Sequence, residues 1–191
     1  WLGKAETALG NHSDRLNAIN IFPVADGDTG TNLYVTVRAA ARSLAGDADK
    51  PVQVDVGAVL ATAGQAAMEE ARGNSGTLFS VFLCAAAEPL AGHTRLTSTL
   101  LAAALNRAQI RAWSALSDPV PGTMLSVMEA AARAAAAVDA GQNGDDSNHA
   151  LGLALDAAVE AALAAVIHTE DQLDALTNAH VVDAGGVGML L

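Results

Sequence analysis

Helix-period apolar spacing, broken only by short polar segments, runs through almost the whole chain and limits it to an all-α fold. Leu9, Leu16 and Ile19 mark one such face, and alanine runs such as Ala134–Ala137 recur. Alanine is the best helix former. Val, Ile, Tyr and Phe never alternate over the length of a strand. Apolar residues supply 51% of the chain, which excludes a disordered polymer. The 191 residues suit one domain, 1–191, with one core.

The spacing predicts eight helices, near residues 5–19, 30–44, 56–71, 75–87, 98–116, 123–138, 148–167 and 171–178. Asp55 is placed to cap the third and Thr97 or Ser98 the fifth. A loop with Gly46, Asp47 and Pro51 separates the second helix from the third. Pro89 stops the fourth, and Pro119 with Pro121 closes the fifth. Thr169-Glu170-Asp171-Gln172 reads as a capping box for the eighth. Short connections favour antiparallel neighbours, so the expected architecture is an up-and-down bundle or barrel. Trp1 already lies in a helical pattern, and Gly188–Leu191 open another element. The sequence therefore reads as the N-terminal part of a longer chain.

Charge and missing motifs narrow the function. The net charge is −11, lysine occurs only at Lys4 and Lys50, and the eight arginines are scattered. Such a surface repels a nucleic-acid backbone. No apolar run reaches the ~18–20 uninterrupted residues of a membrane span; the stretch 151–167 contains Asp156 and Glu160. The single cysteine, Cys84, forms no intrachain disulfide, which suits a reducing cytoplasm. The absence of G-x-x-x-x-G-K-[ST] excludes a P-loop, and no G-x-G-x-x-G follows a strand. The five histidines show no metal-binding spacing.

Four glycine-bearing loops remain, each leading into a helix. In the first, Asp26 and Asp28 flank Gly27 ahead of Thr29, Gly30, Thr31 and Asn32. An unusual φ at Gly27 turns both carboxylates to one side. A hard cation relieves their repulsion, and helix-start amides accept an anion. The same residues also read as an ordinary Asp-Gly turn with an N-cap. The second loop is Arg72-Gly73-Asn74-Ser75-Gly76, which taken alone reads first as a helix C-cap at Gly73 followed by an N-cap at Ser75. The third is Pro121-Gly122-Thr123-Met124, and the fourth Asp183-Ala184-Gly185-Gly186. In an up-and-down bundle such loops can gather at one end as a rim for a polyphosphate.

Taken together and in order, the four segments resemble a known family. This is the nucleotide-binding domain shared by the L subunit of dihydroxyacetone kinase and the N-terminal part of bacterial fatty acid kinase. The fatty acid kinase branch carries N-x-F-P-V-P-D-G-D-T-G-T-N, similar to Asn20–Asn32. It also carries A-R-G-N-S-G, similar to Ala71–Gly76, and V-V-D-A-G-G-x-G, similar to Val181–Gly188. Its P-x-x-G-T matches Pro119–Thr123. Ala25 and Glu170 stand where prolines are usual.

The resemblance implies an eight-helix barrel with ATP or ADP at one end. It implies two Mg²⁺ ions on a D-x-x-x-x-D-x-D set, of which Asp26 and Asp28 match the last two. Asn20 lies one residue beyond the place of the first. Thr29–Asn32 and Gly73–Gly76 fall where the family contacts phosphates; Gly122–Met124 and Asp183–Gly185 match positions near the nucleoside. The chain offers no general base. The acceptor is then expected on a partner, a fatty-acid-binding carrier protein, with an acyl phosphate as product. A dihydroxyacetone-type kinase and a non-catalytic nucleotide sensor are the alternatives, and a homodimer stays open.

Overall fold

The structure is a computed structural model that describes residues 1–45 and 55–191. The expected loop at Gly46, Asp47 and Pro51 lies outside those residues. Helices fill most of the described chain: α1 (Leu2–Ala18), α2 (Thr29–Ser43), α3 (Val56–Glu70), α4 (Gly73–Ala87), α5 (Ser98–Trp113), α6 (Met124–Gly141), α7 (Asn148–Gln172), α8 (Asp174–Ala179) and α9 (Ala184–Leu190). There is no strand among the described residues. The all-α expectation holds, with nine helices described where spacing predicted eight.

Local chemistry starts five of them, α9 through the Asp183 cap on Gly186 N. Asp55 accepts from Ala58 N, Thr97 from Leu100 N, Thr123 from Leu125 N and Ser147 from Ala150 N. Each side chain satisfies a first-turn N–H that lacks an intrahelical partner. Pro89 stops α4 as expected: the helix ends at Ala87 and the chain tightens into a 3₁₀ turn at Glu88–Leu90.

Contacts fix the directions. The start of α2 packs on the end of α1, with Gly30 against Ser13 and Leu16. Gly57, at the start of α3, meets Leu90 and Ala91 beyond the end of α4. Thr99 on α5 donates to Asp139 at the end of α6, and Gly122, before α6, touches Gln172 at the end of α7. These pairs run antiparallel. Leu9, Leu16, Leu33, Leu83, Leu125 and Met128 fill the core, and buried alanines such as Ala63, Ala67, Ala108 and Ala112 let the helices approach closely. Cys84 is half-buried against Gly64, and burial pushes its thiol pKa up, as suits an inert packing group.

Two expectations need correction at α7. The helix does not end near residue 167 but runs on to Gln172. Thr169 therefore caps nothing: it is fully buried, its hydroxyl donates to Val166 O, and α8 starts from Leu173 without a side-chain cap. A capping box needs a free helix start at its first residue, and here the backbone is already helical. Among the described residues α7 is also one helix long and apolar enough to cross a membrane by length and composition, with a window of mean hydropathy 2.0. The sequence expectation had counted only uninterrupted apolar runs. In the bundle α7 packs through Ala150, Ala154, Ala158, Ala162 and Val166, while Val159, Leu163 and Ile167 stay exposed.

Glycines give a stability test. A methyl at Gly64 would stand 2.9 Å from Cys84 N, whereas nothing lies within 4 Å of one at Gly152, inside α7. Gly64→Ala should destabilise by about 1–3 kcal/mol through overpacking. Gly152→Ala should stabilise by about 0.5–1 kcal/mol through helix propensity. Thermal unfolding checks both signs.

Candidate functional site

The acidic loop between α1 and α2 is shaped by two amide side chains. Gly27 takes φ +66°, a conformation open to glycine at little cost. On one side of it Asp26 Oδ1 accepts from Asn20 Nδ2 at 2.6 Å; on the other Asp28 Oδ1 accepts from Asn32 Nδ2 at 2.8 Å. Neither carboxylate makes an ion pair with a described residue. Asn20 and Asn32 are both buried, so the donors are fixed in place.

The second loop closes the site from α4. Gly73 has φ +59°, and a Cβ there would stand 2.5 Å from Asn32 Nδ2. One turn on, a Cβ at Gly76 would stand 2.6 Å from Thr36 Oγ1. α2 and α4 therefore start side by side and run parallel, at a separation only glycine permits. Between their first turns lies a cleft of about 70 Å³. Asn20, Asp26, Asp28, Thr29 and Asn32 line it from the first loop, with Gly73, Asn74 and Ser75 from the second. Pro23 and Val24 complete its lip.

The rest of the expected phosphate turn faces elsewhere. Gly30 N and Thr31 N donate to Asn17 Oδ1 at 2.8 and 3.1 Å, and Asn17 Nδ2 donates to Thr31 Oγ1 at 2.9 Å. Gly30 and Thr31 stand outside the cleft lining, on the α1 side. Gly76 lies behind it against Thr36. Asn17 escaped the sequence reading because nothing local marks a residue at the end of one helix as the cap of the next.

The third and fourth loops meet each other at a separate corner. Gly122, with φ +81°, donates its N–H to Ser126 Oγ, and Thr123 caps α6. Asp183 caps α9 by accepting from Gly186 N at 2.7 Å and is also held by the backbone N–H of Met124. Asp183 N donates in turn to Thr169 Oγ1 at 2.9 Å, so the buried Thr169 has a role that the sequence reading gave to a capping box. Gly122, Met124, Asp183, Ala184 and Gly185 are all buried; Pro121 is exposed and Thr123 partly so. α9 links the two corners: Gly185 packs on Met124, and Gly188 packs on Leu33 of α2. Seven residues of helix make that link ~10 Å long.

Chemically the cleft suits a cation with an anion. Two carboxylates that converge repel unless a positive charge joins them. Among the described residues no group of three His, Cys, Asp or Glu could hold a metal ion. A two-carboxylate site fits Mg²⁺, which keeps waters and substrate phosphates among its ligands. A wider depression of about 480 Å³ lies between α1 and α2, lined by Glu6, Thr7, Gly10, Asn11, Ser13 and Tyr34. It contains one carboxylate and none of the expected site residues.

Asp183 carries the clearest perturbation near the second corner. Burial pushes its carboxyl pKa up to about 6, against the lowering effect of the Gly186 and Met124 N–H groups. A folded-state value above the unfolded one, ordinarily near 3.9, means the folded chain binds more protons in that window. Its contribution to stability is therefore present below ~4 and lost as pH rises towards about 6. The difference in Tm between Asp183→Asn and the parent should shift in favour of the variant as pH goes from 4 to 7. A pH-independent difference contradicts this.

Comparisons with known proteins bear on the fold and the family. An uncharacterized protein of Staphylococcus aureus strain bovine RF122 / ET3-1 is 30% identical over 182 residues, covering 95% of this chain and 31% of its own length. A second uncharacterized protein, from strain USA300, matches to the same extent. The chain thus spans about a third of the length of these curated relatives. The crystal structure of the dihydroxyacetone kinase of C. freundii superposes with a TM-score of 0.64 at 20% identity, over 99% of this chain and 32% of that one. It shares the fold. The family model of the DAK2 domain matches residues 23–191, from the edge of the acidic loop to the last residue. This chain belongs to the DAK2 domain family.

Proposed function

We propose that residues 1–191 form one ATP- and Mg²⁺-binding domain of a kinase that phosphorylates a fatty acid presented by a separate carrier protein, giving an acyl phosphate. The observation that carries the reading is the shared cleft: Asp26 and Asp28 open onto the same space as Thr29, Asn32, Asn74 and Ser75. A chain of net charge −11 repels a triphosphate. Mg²⁺, when bound, supplies the neutralisation that phosphoryl transfer requires. Asp26 and Asp28 would hold it, with Asn20 and Asn32 orienting them; a second ion would take more of its ligands from phosphate and water. Asn74 and Ser75, at the start of α4, would face phosphate oxygens. Gly122–Met124 and Asp183–Gly185 would border the nucleoside about one short helix away.

With Asp26 and Asp28 committed to the cation, no other carboxylate and no histidine among the described residues lines the cleft, which supports an acceptor delivered by another protein. The sequence motifs favour the fatty acid kinase branch. The fold shared with the C. freundii dihydroxyacetone kinase supports the second reading, a nucleotide-binding subunit of a dihydroxyacetone-type kinase. Feeding the full-length protein each acceptor with its carrier separates the two.

Calorimetry tests the common part. The domain should bind ATP only with Mg²⁺ and turn it over little alone. Asp26→Ala should weaken that binding by about 10- to 100-fold, the range seen when support of a metal site is lost. Binding that ignores Mg²⁺, or an Asp26→Ala protein equal to its parent, contradicts the proposal.

A further inference from the structure

We propose that Asn17 is a positioning residue that caps α2 in place of Asp28 and thereby releases the Asp28 carboxylate to the cleft. The inference deepens the cation-site reading and rests on it. Asp28 occupies the N-cap position of α2 but makes no side-chain cap bond. An Asp there ordinarily accepts from the amides two and three residues on, here Gly30 and Thr31. Those two N–H groups both go instead to Asn17 Oδ1, from the last turn of α1. Asp28 Oδ1 is turned towards Asn32 Nδ2 and lines the cleft.

The arrangement is braced from both sides. Asn17 Nδ2 donates to Thr31 Oγ1, which fixes which end of the amide faces the helix. Gly30 carries no side chain, and its α-carbon lies close against Ser13 O and Leu16, so the first turn of α2 sits where Asn17 can reach it. The cap is also neutral. A carboxylate on those amides would offset the positive end of α2; an amide oxygen satisfies the hydrogen bonds and leaves that field for an anion in the cleft. Removing Asn17 exposes two N–H groups within reach of their ordinary acceptor. Asp28 then turns to cap its own helix and leaves the cation site.

A double-mutant cycle reads this exchange directly. In Asn17→Ala, Asp28 takes over the cap, so Tm should fall by less than about 2 °C. In Asn17→Ala/Asp28→Ala the helix has no cap, and Tm should fall by more than the sum of the single variants, by about 2–4 °C beyond it. The same Asn17→Ala protein should bind Mg·ATP at least ~10-fold more weakly although it is folded, and Asn17→Asp, which restores an acceptor, should recover the Tm. Additive Tm changes overturn the inference, and so does an Asn17→Ala protein that binds Mg·ATP like the parent. A parent that does not bind Mg·ATP overturns the nucleotide reading and with it the functional half of this one. The Tm cycle, measured without nucleotide, still decides whether the caps exchange.

Discussion

Two helices that start in parallel at glycine-limited distance hold the candidate site together. Asn32 of α2 lies in the space a side chain at Gly73 would fill, and Thr36 in the space of one at Gly76. That approach lets one amide, Asn32, both hold Asp28 and wall the cleft against α4. A side chain at either glycine would displace Asn32 or Thr36, and moving Asn32 would release the Asp28 carboxylate it holds. Behind them the bundle packs on small buried alanines and on Leu33 and Leu83.

Electrostatics decides what such a cleft can accept. Asp26 and Asp28 are oriented by neutral amides and make no ion pair with a described residue, so no described cation compensates their charge. The helix starts beside them present positive ends. A cation bound by carboxylates and an anion at helix starts thus meet in one place, the combination that a metal–phosphate ligand provides.

Features governed by neighbours in sequence were legible before the structure. Asp55 and Thr97 cap the helices they precede, and Gly27 takes the left-handed turn its place between two aspartates requires. The pairing of the acidic loop with the Gly73–Ser75 turn was also legible, since both lead into helices that an up-and-down order starts at one end. What escaped was tertiary. Asn17 caps a helix twelve residues on, and no local pattern signals it. Thr169 carries a capping-box sequence, yet α7 simply continues through it because its hydroxyl is needed inside, against Val166 and Asp183. The third and fourth loops meet each other at a corner of their own rather than in one rim with the first two, and Asp183 turns inward there to cap α9. The exposed apolar side of α7 was invisible for the opposite reason: Asp156 and Glu160 interrupt it in sequence but not in overall hydropathy.

The cleft between the starts of α2 and α4 is the one proposed location for the ligand. Hydrogen–deuterium exchange on the domain, with and without Mg·ATP, tests it most directly. Protection should concentrate on residues 26–32 and 73–76 and should require the metal. Protection confined to the depression near Tyr34, or none in the acidic loop, would contradict it.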